Sequence, residues 1–330
     1  TGAARLAQPE LALGRLEGLI VIDEVQRRPE LFTALRPLVD RPRSRKRFLI
    51  LGSASPDLIR GVSESLAGRI GFVDLSPFDM SEVGARRSTR LWLRGGFPRS
   101  FLAASDSDSY RWRADFIRTI LERDIPQLGI RLAPEALRRF WMMLAHFHGQ
   151  VWNGAELARS LGVSEHTVRG YLDVLTATFL VRPLAPWFEN IAKRQYRSPK
   201  VYVRDSGLLH TLLSIDAFDQ LEAHPKFGAS WEGYALEQIL RLVGQSDTYY
   251  WGTHAGAELD LLLIRHGRRY GVEFKCQDAP QMSRSLHIAL HDLALERAWI
   301  IYPGQERYPV HERVEVLPLA NTPKELSFLR

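Results

Sequence analysis

Leu19-Ile20-Val21-Ile22-Asp23-Glu24 is an apolar run that ends in two adjacent acids. Four large aliphatic residues in succession read as a strand of a parallel sheet covered on both faces. The acids then fall at the strand's carboxyl end, where open α/β sheets bind their ligands. Carboxylates in that place suit phosphoryl transfer, with Asp23 holding Mg²⁺ through water and Glu24 orienting the attacking water. Nothing in the 330 residues reads G-x-x-x-x-G-K-[ST], the backbone cradle and lysine that grip nucleotide phosphates.

Outward from this strand the α/β pattern continues. Phe48 to Gly52 and Ile70 to Leu75 are further short apolar runs expected as strands, and Glu30 to Val39 carries Leu31, Phe32, Leu35, Leu38 and Val39 at helical spacing. Ser53, just past the second strand, is the candidate reader of a terminal phosphate. Arg69, in Leu66-Ala67-Gly68-Arg69, is the candidate to neutralise transition-state charge, in cis or across the interface of a homo-oligomer. The polar stretch Asp106-Ser107-Asp108-Ser109 marks a boundary, which divides the chain into residues 1–104, 105–200 and 201–330.

The middle segment is helical by periodicity, without strand signals, from Tyr110 for some seventy positions. Ala155 to Ser164 and His166 to Leu175 read as helix, glycine turn, helix, with Ser164 capping the second helix and Phe179-Leu180-Val181 placed to form a wing. The outer positions of the second helix are Glu165, His166, Arg169, Gly170 and Asp173, a nearly neutral set that favours a packing module over a DNA-reading helix. Between Asn190 and Arg204, however, Lys193, Arg194, Arg197, Lys200 and Arg204 occur with no acid, beside Trp187, Phe188, Tyr196 and Tyr202. Lys193, Arg194, Arg197 and Lys200, together with Arg169, are the candidate nucleic-acid contacts, with DNA as the expected partner.

Strands return from Val201, with helices expected at Trp231 to Val243 and near Leu286 to Leu295. Glu258-Leu259-Asp260 precedes Glu273-Phe274-Lys275 in the order of a D…E-x-K nuclease site. A Gly267-Arg268 turn of type II′ would set Asp260 opposite Lys275 and Leu262 opposite Glu273. Side chains alternate along a strand, so Glu258, Asp260, Glu273 and Lys275 share one face, and Leu261, Leu263, Val272 and Phe274 the other. Clustered carboxylates repel unless a cation joins them, so Asp260, Glu273, Glu258 and the helical Glu232 are candidate ligands for one or two Mg²⁺ ions, with Lys275 as the catalytic lysine.

Composition sets bounds. The net charge of +6 is spread over many arginines, Cys276 is the single cysteine, and no stretch of 18 uncharged apolar residues occurs, so no membrane span and a cytoplasmic setting are expected.

The motifs taken in order are similar to a family: bacterial and archaeal AAA-type ATP-binding proteins carrying a restriction-endonuclease-like C-terminal domain of unknown function. The residues that carry the resemblance are Leu19 to Gln26, Leu51 to Ala54, Leu66 to Arg69, Gly95-Gly96-Phe97-Pro98, Leu121 to Asp124, Trp187 to Arg194, Asp205-Ser206-Gly207-Leu208 and Gly256 to Lys275. The resemblance implies an α/β protein in three parts: a partial P-loop AAA-type parallel sheet, a helical and winged-helix middle domain, and an αβββαβ nuclease-like core from about Trp231 to Tyr302. It implies ATP and Mg²⁺ as cofactors of the parent protein, with the first strand, phosphate loop and following helix expected in at least ~30 residues upstream of Thr1. The expected function is a nucleic-acid-associated ATPase-family protein with a nuclease-like domain. The alternative is a nucleotide-gated regulatory or protein-binding module with that domain catalytically silent.

Overall fold

In the computed structural model, which describes residues 8–25, 28, 30–41, 45–52, 66–130 and 132–329, the opening strand β1 (Leu19–Ile22) pairs in parallel with β2 (Arg47–Ile50), Leu19 facing Arg47 and Ile22 facing Ile50. These strands belong to the first of two compact units, which comprises Thr1–Leu75, Gln127–Ile130 and Ala177–Phe179; the remaining residues form the second. Between the two strands runs α1 (Leu31–Val39), whose Leu31, Phe32, Leu35 and Leu38 pack with Leu13, Ile20, Ile22, Val25 and Leu66. Cover on both faces of β1 was expected. The structure instead buries Ile20 and Ile22 while leaving Leu19, Val21 and Leu49 exposed, so alternation decides burial here. Ile70–Leu75 is not a strand: it adopts no regular structure and exposes Phe72, Val73 and Leu75. Ser53 lies outside the described residues.

The second unit is built from helices and two sheets. A three-stranded sheet, ordered β3-β5-β4, joins β3 (Gln150–Val151), β4 (Val181–Leu184) and β5 (Lys200–Val203), all antiparallel to their neighbours. Between β3 and β4 along the chain runs the expected helix pair, α2 (Gly154–Leu161) and α3 (Glu165–Ala177), where Ser164 Oγ accepts a hydrogen bond from the Thr167 N–H at 3.1 Å. Two expectations change. The helical segment contains the short strand β3, and Val201–Val203, expected with the C-terminal unit, pairs with β3 and β4 instead.

C-terminal to this come α4 (Phe227–Val243), β6 (Thr248–Gly252), β7 (Glu258–Arg265), β8 (Arg268–Phe274), α5 (Arg284–Asp292) and β9 (Arg297–Tyr302), an order of helix, three strands, helix, strand. The hairpin β10 (Tyr308–His311) and β11 (Val314–Pro318), unforeseen from the sequence, completes a six-stranded mixed sheet in the order β10-β11-β9-β8-β7-β6. Leu259, Leu262, Leu286, Leu290, Ile300 and Val316 are among the residues of its core.

Two motifs explain each other. The buried Asp205 carboxylate accepts hydrogen bonds from the Gly96 N–H at 2.8 Å and the Leu208 N–H at 2.9 Å, capping the helix Ser206–Leu212 with charge-assisted bonds. The chains approach so closely that a Cβ on Gly207 would lie 2.2 Å from the Arg94 carbonyl oxygen, and one on Gly96 would lie 2.3 Å from that of Phe78. A second anchor is Glu237 of α4, buried against Arg182 of β4 and Arg204, with Arg182 Nη2 donating at 3.0 Å. Gly207→Ala is expected to cost about 1–3 kcal/mol in chemical denaturation, because backbone must shift to admit the methyl group. Gly170→Ala, in an exposed helix interior with nothing within 4 Å, is expected to stabilise by up to about 1 kcal/mol; equal midpoints for the two variants would contradict this packing.

Candidate functional site

The hairpin β7–β8 turns at His266-Gly267, with Arg265 opposite Arg268. Both turn residues have positive φ, +50° and +75°, as a type I′ turn requires. The expected Gly267-Arg268 turn is therefore displaced, and Leu262 faces Gly271 rather than Glu273. The register shifts by two residues, a shift that by itself leaves the faces of the paired residues unchanged, whereas a shift of one would exchange them. Glu258, Asp260, Glu273 and Lys275 lie near one another at the open end of the hairpin, and alternation alone does not put them there.

The other strand boundary adds a feature that alternation does not foresee. Tyr249 faces Leu262 and Trp251 faces Leu259, so Tyr250 alone stands opposite both Asp260 and Leu261, a β-bulge in β7. The bulge places Leu259 and Leu262, three positions apart, in the same core cluster. It also sets Asp260 at the point where the ladder to β8 ends: its Oδ2 accepts from the Phe274 N–H at 2.9 Å.

Toward Glu258 and Asp260 projects Lys200 from β5. Its side chain is 3% exposed, and its Nζ lies 3.2 Å from Glu232 Oε1, 3.4 Å from Asp260 Oδ1 and in contact with Glu258 Oε1. Tyr202, two residues along the same strand, donates its hydroxyl to Glu232 Oε1 at 2.6 Å. Lys200 Nζ also stands 5.7 Å from the centre of the Tyr250 ring. Burial alone would drive the ammonium to lose its proton, but Glu232, Asp260 and Glu258 outweigh it and hold the lysine well above its usual range. Glu232 is pushed up to about 7, chiefly by burial and secondarily by the charge on Asp260, against the pull of Lys200.

Beside this cluster, Lys275 Nζ lies 2.7 Å from Glu273 Oε1, and Ser283 Oγ donates to Glu273 Oε2 at 3.0 Å. Burial raises the Glu273 carboxyl, while Lys275, opposed by its own burial, is raised by Glu273, Asp260 and Glu232. All six charged groups thus belong to one electrostatic set. As placed, its carboxylates point at two ammonium groups, and among the described residues no group of three or more His, Cys, Asp or Glu side chains is arranged to hold a metal ion.

The other predicted residues do not join this site. Asp23 and Glu24 end β1 in the first unit, where Asp23 Oδ1 accepts from the Glu24 N–H at 2.9 Å and Glu24 takes a positive φ of 54°. Arg69, also in that unit, donates from Nε to Asp40 at 2.6 Å. Arg169 is exposed and paired with Asp173 at 3.3 Å. Lys193 pairs with Asp292, while Arg194 and Arg197 are exposed. Lys200, expected on the same surface stripe, is corrected to the interior of the acidic cluster, because β5 is the middle strand of its sheet and is buried at all four positions. Sequence reasoning missed Tyr202, Ser283 and the role of Lys200. The period-two pair of Lys200 and Tyr202 in an otherwise apolar strand was the available signal.

A carboxyl whose folded value lies above its unfolded one loses stability as pH rises between the two. Wild-type protein is therefore expected to lose about 3 kcal/mol relative to Glu232→Gln between pH 4.5 and 7, followed by urea denaturation across that window. Parallel stability curves would contradict the burial and coupling of Glu232.

Three domain families match the chain. Residues 4–84 match a family described as an AAA domain, residues 85–219 a domain of unknown function (DUF8612), and residues 227–322 another (DUF4143). Two curated relatives, "Uncharacterized protein Rv2008c" of Mycobacterium tuberculosis and "Uncharacterized protein Mb2031c" of Mycobacterium bovis, are each 56% identical over 316 residues, which is 96% of this chain and 72% of theirs. Among the described residues no helix is long and apolar enough to cross a membrane. With its AAA domain at the amino end and DUF4143 at the carboxyl end, the chain belongs to the AAA-type ATPase family that includes these two mycobacterial proteins.

Proposed function

We propose that this chain is a nucleic-acid-associated member of the AAA-type ATPase family whose C-terminal domain is nuclease-like in layout but holds its acidic face closed with an internal lysine. The carrying observation is the position of Lys200 Nζ, which contacts Glu232, Glu258 and Asp260 at once from a strand outside the six-stranded sheet. In this reading the ammonium supplies the positive charge that a divalent cation would bring to such carboxylates. The helix pair α2–α3 with its small sheet then serves as a packing module that delivers Lys200, in keeping with the near-neutral outer face of α3.

Nucleotide chemistry is proposed for the AAA part of the protein. Asp23 would hold Mg²⁺ through water and Glu24 would orient water, with Ser53 as the reader of the terminal phosphate and Arg69 to neutralise transition-state charge, in cis or across a subunit interface. The 330 residues contain no phosphate-loop motif, so weak binding of ATP by this chain alone is part of the proposal.

A second reading has its own support. Asp260, Glu273 and Lys275 interact electrostatically at the end of a bulged hairpin, the arrangement that a metal-dependent nuclease would use once Lys200 had been withdrawn. The two separate in one assay. On plasmid and single-stranded DNA with Mg²⁺ or Mn²⁺, the wild-type chain and Asp260→Ala are expected to be equally inactive. Metal-dependent cleavage by wild type that Asp260→Ala abolishes would overturn the lysine-closed reading in favour of the nuclease.

A further inference from the structure

Next to the acidic cluster lies a cleft of about 810 Å³ formed by the segment from Phe188 to Ser198 together with His254. The segment is fixed to β6 and the following loop by backbone bonds: the Trp187 N–H donates to the Tyr250 carbonyl at 2.6 Å, that of Tyr196 to Gly252 at 3.0 Å, and that of His254 to Arg194 at 2.9 Å. Gln195, buried within it, accepts from the Trp251 indole at 2.9 Å and donates to the Glu189 carbonyl at 2.7 Å. The cleft is therefore held open by a stapled loop, with its walls set before any ligand arrives.

Its chemistry is one-sided. Arg194 and Arg197 have no carboxylate partner among the described residues. The one acid in the lining, Glu189, is already engaged by Arg269 Nη1 at 2.6 Å and by the Trp187 indole at 3.0 Å. Aromatic faces are interleaved with these cations. Phe188 is 54% exposed, with the Arg197 guanidinium 5.5 Å from its ring centre, and the Tyr196 and His254 rings lie 4.6 Å apart. A cationic groove alone would suit any polyanion, but exposed rings beside unpaired arginines suit bases whose faces are free. A duplex hides those faces, and the helix that would read a duplex groove, α3, presents Arg169 already paired with Asp173.

We infer that this cleft binds single-stranded nucleic acid, with Arg194 and Arg197 on the phosphates and Phe188, Tyr196 and His254 against the bases. The inference rests on the proposed nucleic-acid association and narrows it to one substrate class and one set of residues. The cleft also borders the acidic site: Ser198 accepts from the hydroxyl of Tyr250, the ring over which Lys200 Nζ stands. A strand lying in the cleft would pass beside the lysine-closed carboxylates.

Fluorescence anisotropy on the whole chain tests this with labelled oligo(dT) and oligo(U) of about 15 nucleotides, a duplex of the same length, and poly-glutamate as a purely anionic competitor. Single strands are expected to bind at least about tenfold more tightly than the duplex. Phe188→Leu, which keeps an apolar side chain, should weaken single-strand binding about 5- to 100-fold, the range of one lost base stack. The double variant Arg194→Glu with Arg197→Glu should weaken it further and flatten its salt dependence. The dT and U arms tell DNA from RNA preference. Duplex binding as tight as single-strand binding, competition by poly-glutamate as strong as by oligo(dT), or full binding by the variants would overturn the cleft assignment while leaving nucleic-acid association standing. Binding to no nucleic acid would overturn both.

Discussion

A buried ammonium among carboxylates is the constraint on which the second unit turns. Lys200 is carried by the three-stranded sheet, while Glu258 and Asp260 lie on the hairpin of the six-stranded sheet and Glu232 on the helix that precedes it. The ammonium of Lys200 does not tolerate burial alone, since leaving one partner of a buried pair uncompensated costs about 3–5 kcal/mol. Separating the small sheet from the larger one would therefore strand charges in the interior, which ties the two together. The Arg182–Glu237–Arg204 group repeats the device on the same helix, one and a half turns along.

Local geometry made that arrangement possible. The bulge at Asp260–Leu261 turns Asp260 toward Lys200 while freeing its second oxygen for the Phe274 backbone. The type I′ turn sets the register of the hairpin, and with it the pairing of Glu273 with Lys275 rather than a bond from Lys275 to Asp260. Four carboxylates then share two ammonium groups. The surplus of negative charge, together with burial, is what raises Glu232 toward neutrality.

Much of this was legible in the residues. The parallel pairing of the Leu19 strand, the helix Leu31–Val39 and the helix pair around Gly162 all follow from periodicity and turn chemistry. What escaped depends on long-range pairing. An exposed and a buried lysine have the same letter, and only the pairing of β5 between β3 and β4 tells which Lys200 is. A bulge is likewise invisible, because it is defined by the partner strand. Ile70–Leu75 had the composition of a strand but found no neighbour among the described residues. The glycines of Gly95-Gly96 and Gly207 were legible only as part of the family resemblance, and their use proved to be close approach around Asp205.

The central claim is that Lys200 serves as the resident cation of the acidic face, which separates this domain from a metal site of similar composition. Isothermal titration of Mn²⁺ into the folded wild-type chain, Asp260→Ala and Lys200→Gln measures it directly. The account predicts no saturable binding to wild type or Asp260→Ala, and one new site in Lys200→Gln, where the amide preserves the packing and removes the charge. Saturable binding to wild type that Asp260→Ala abolishes would contradict it.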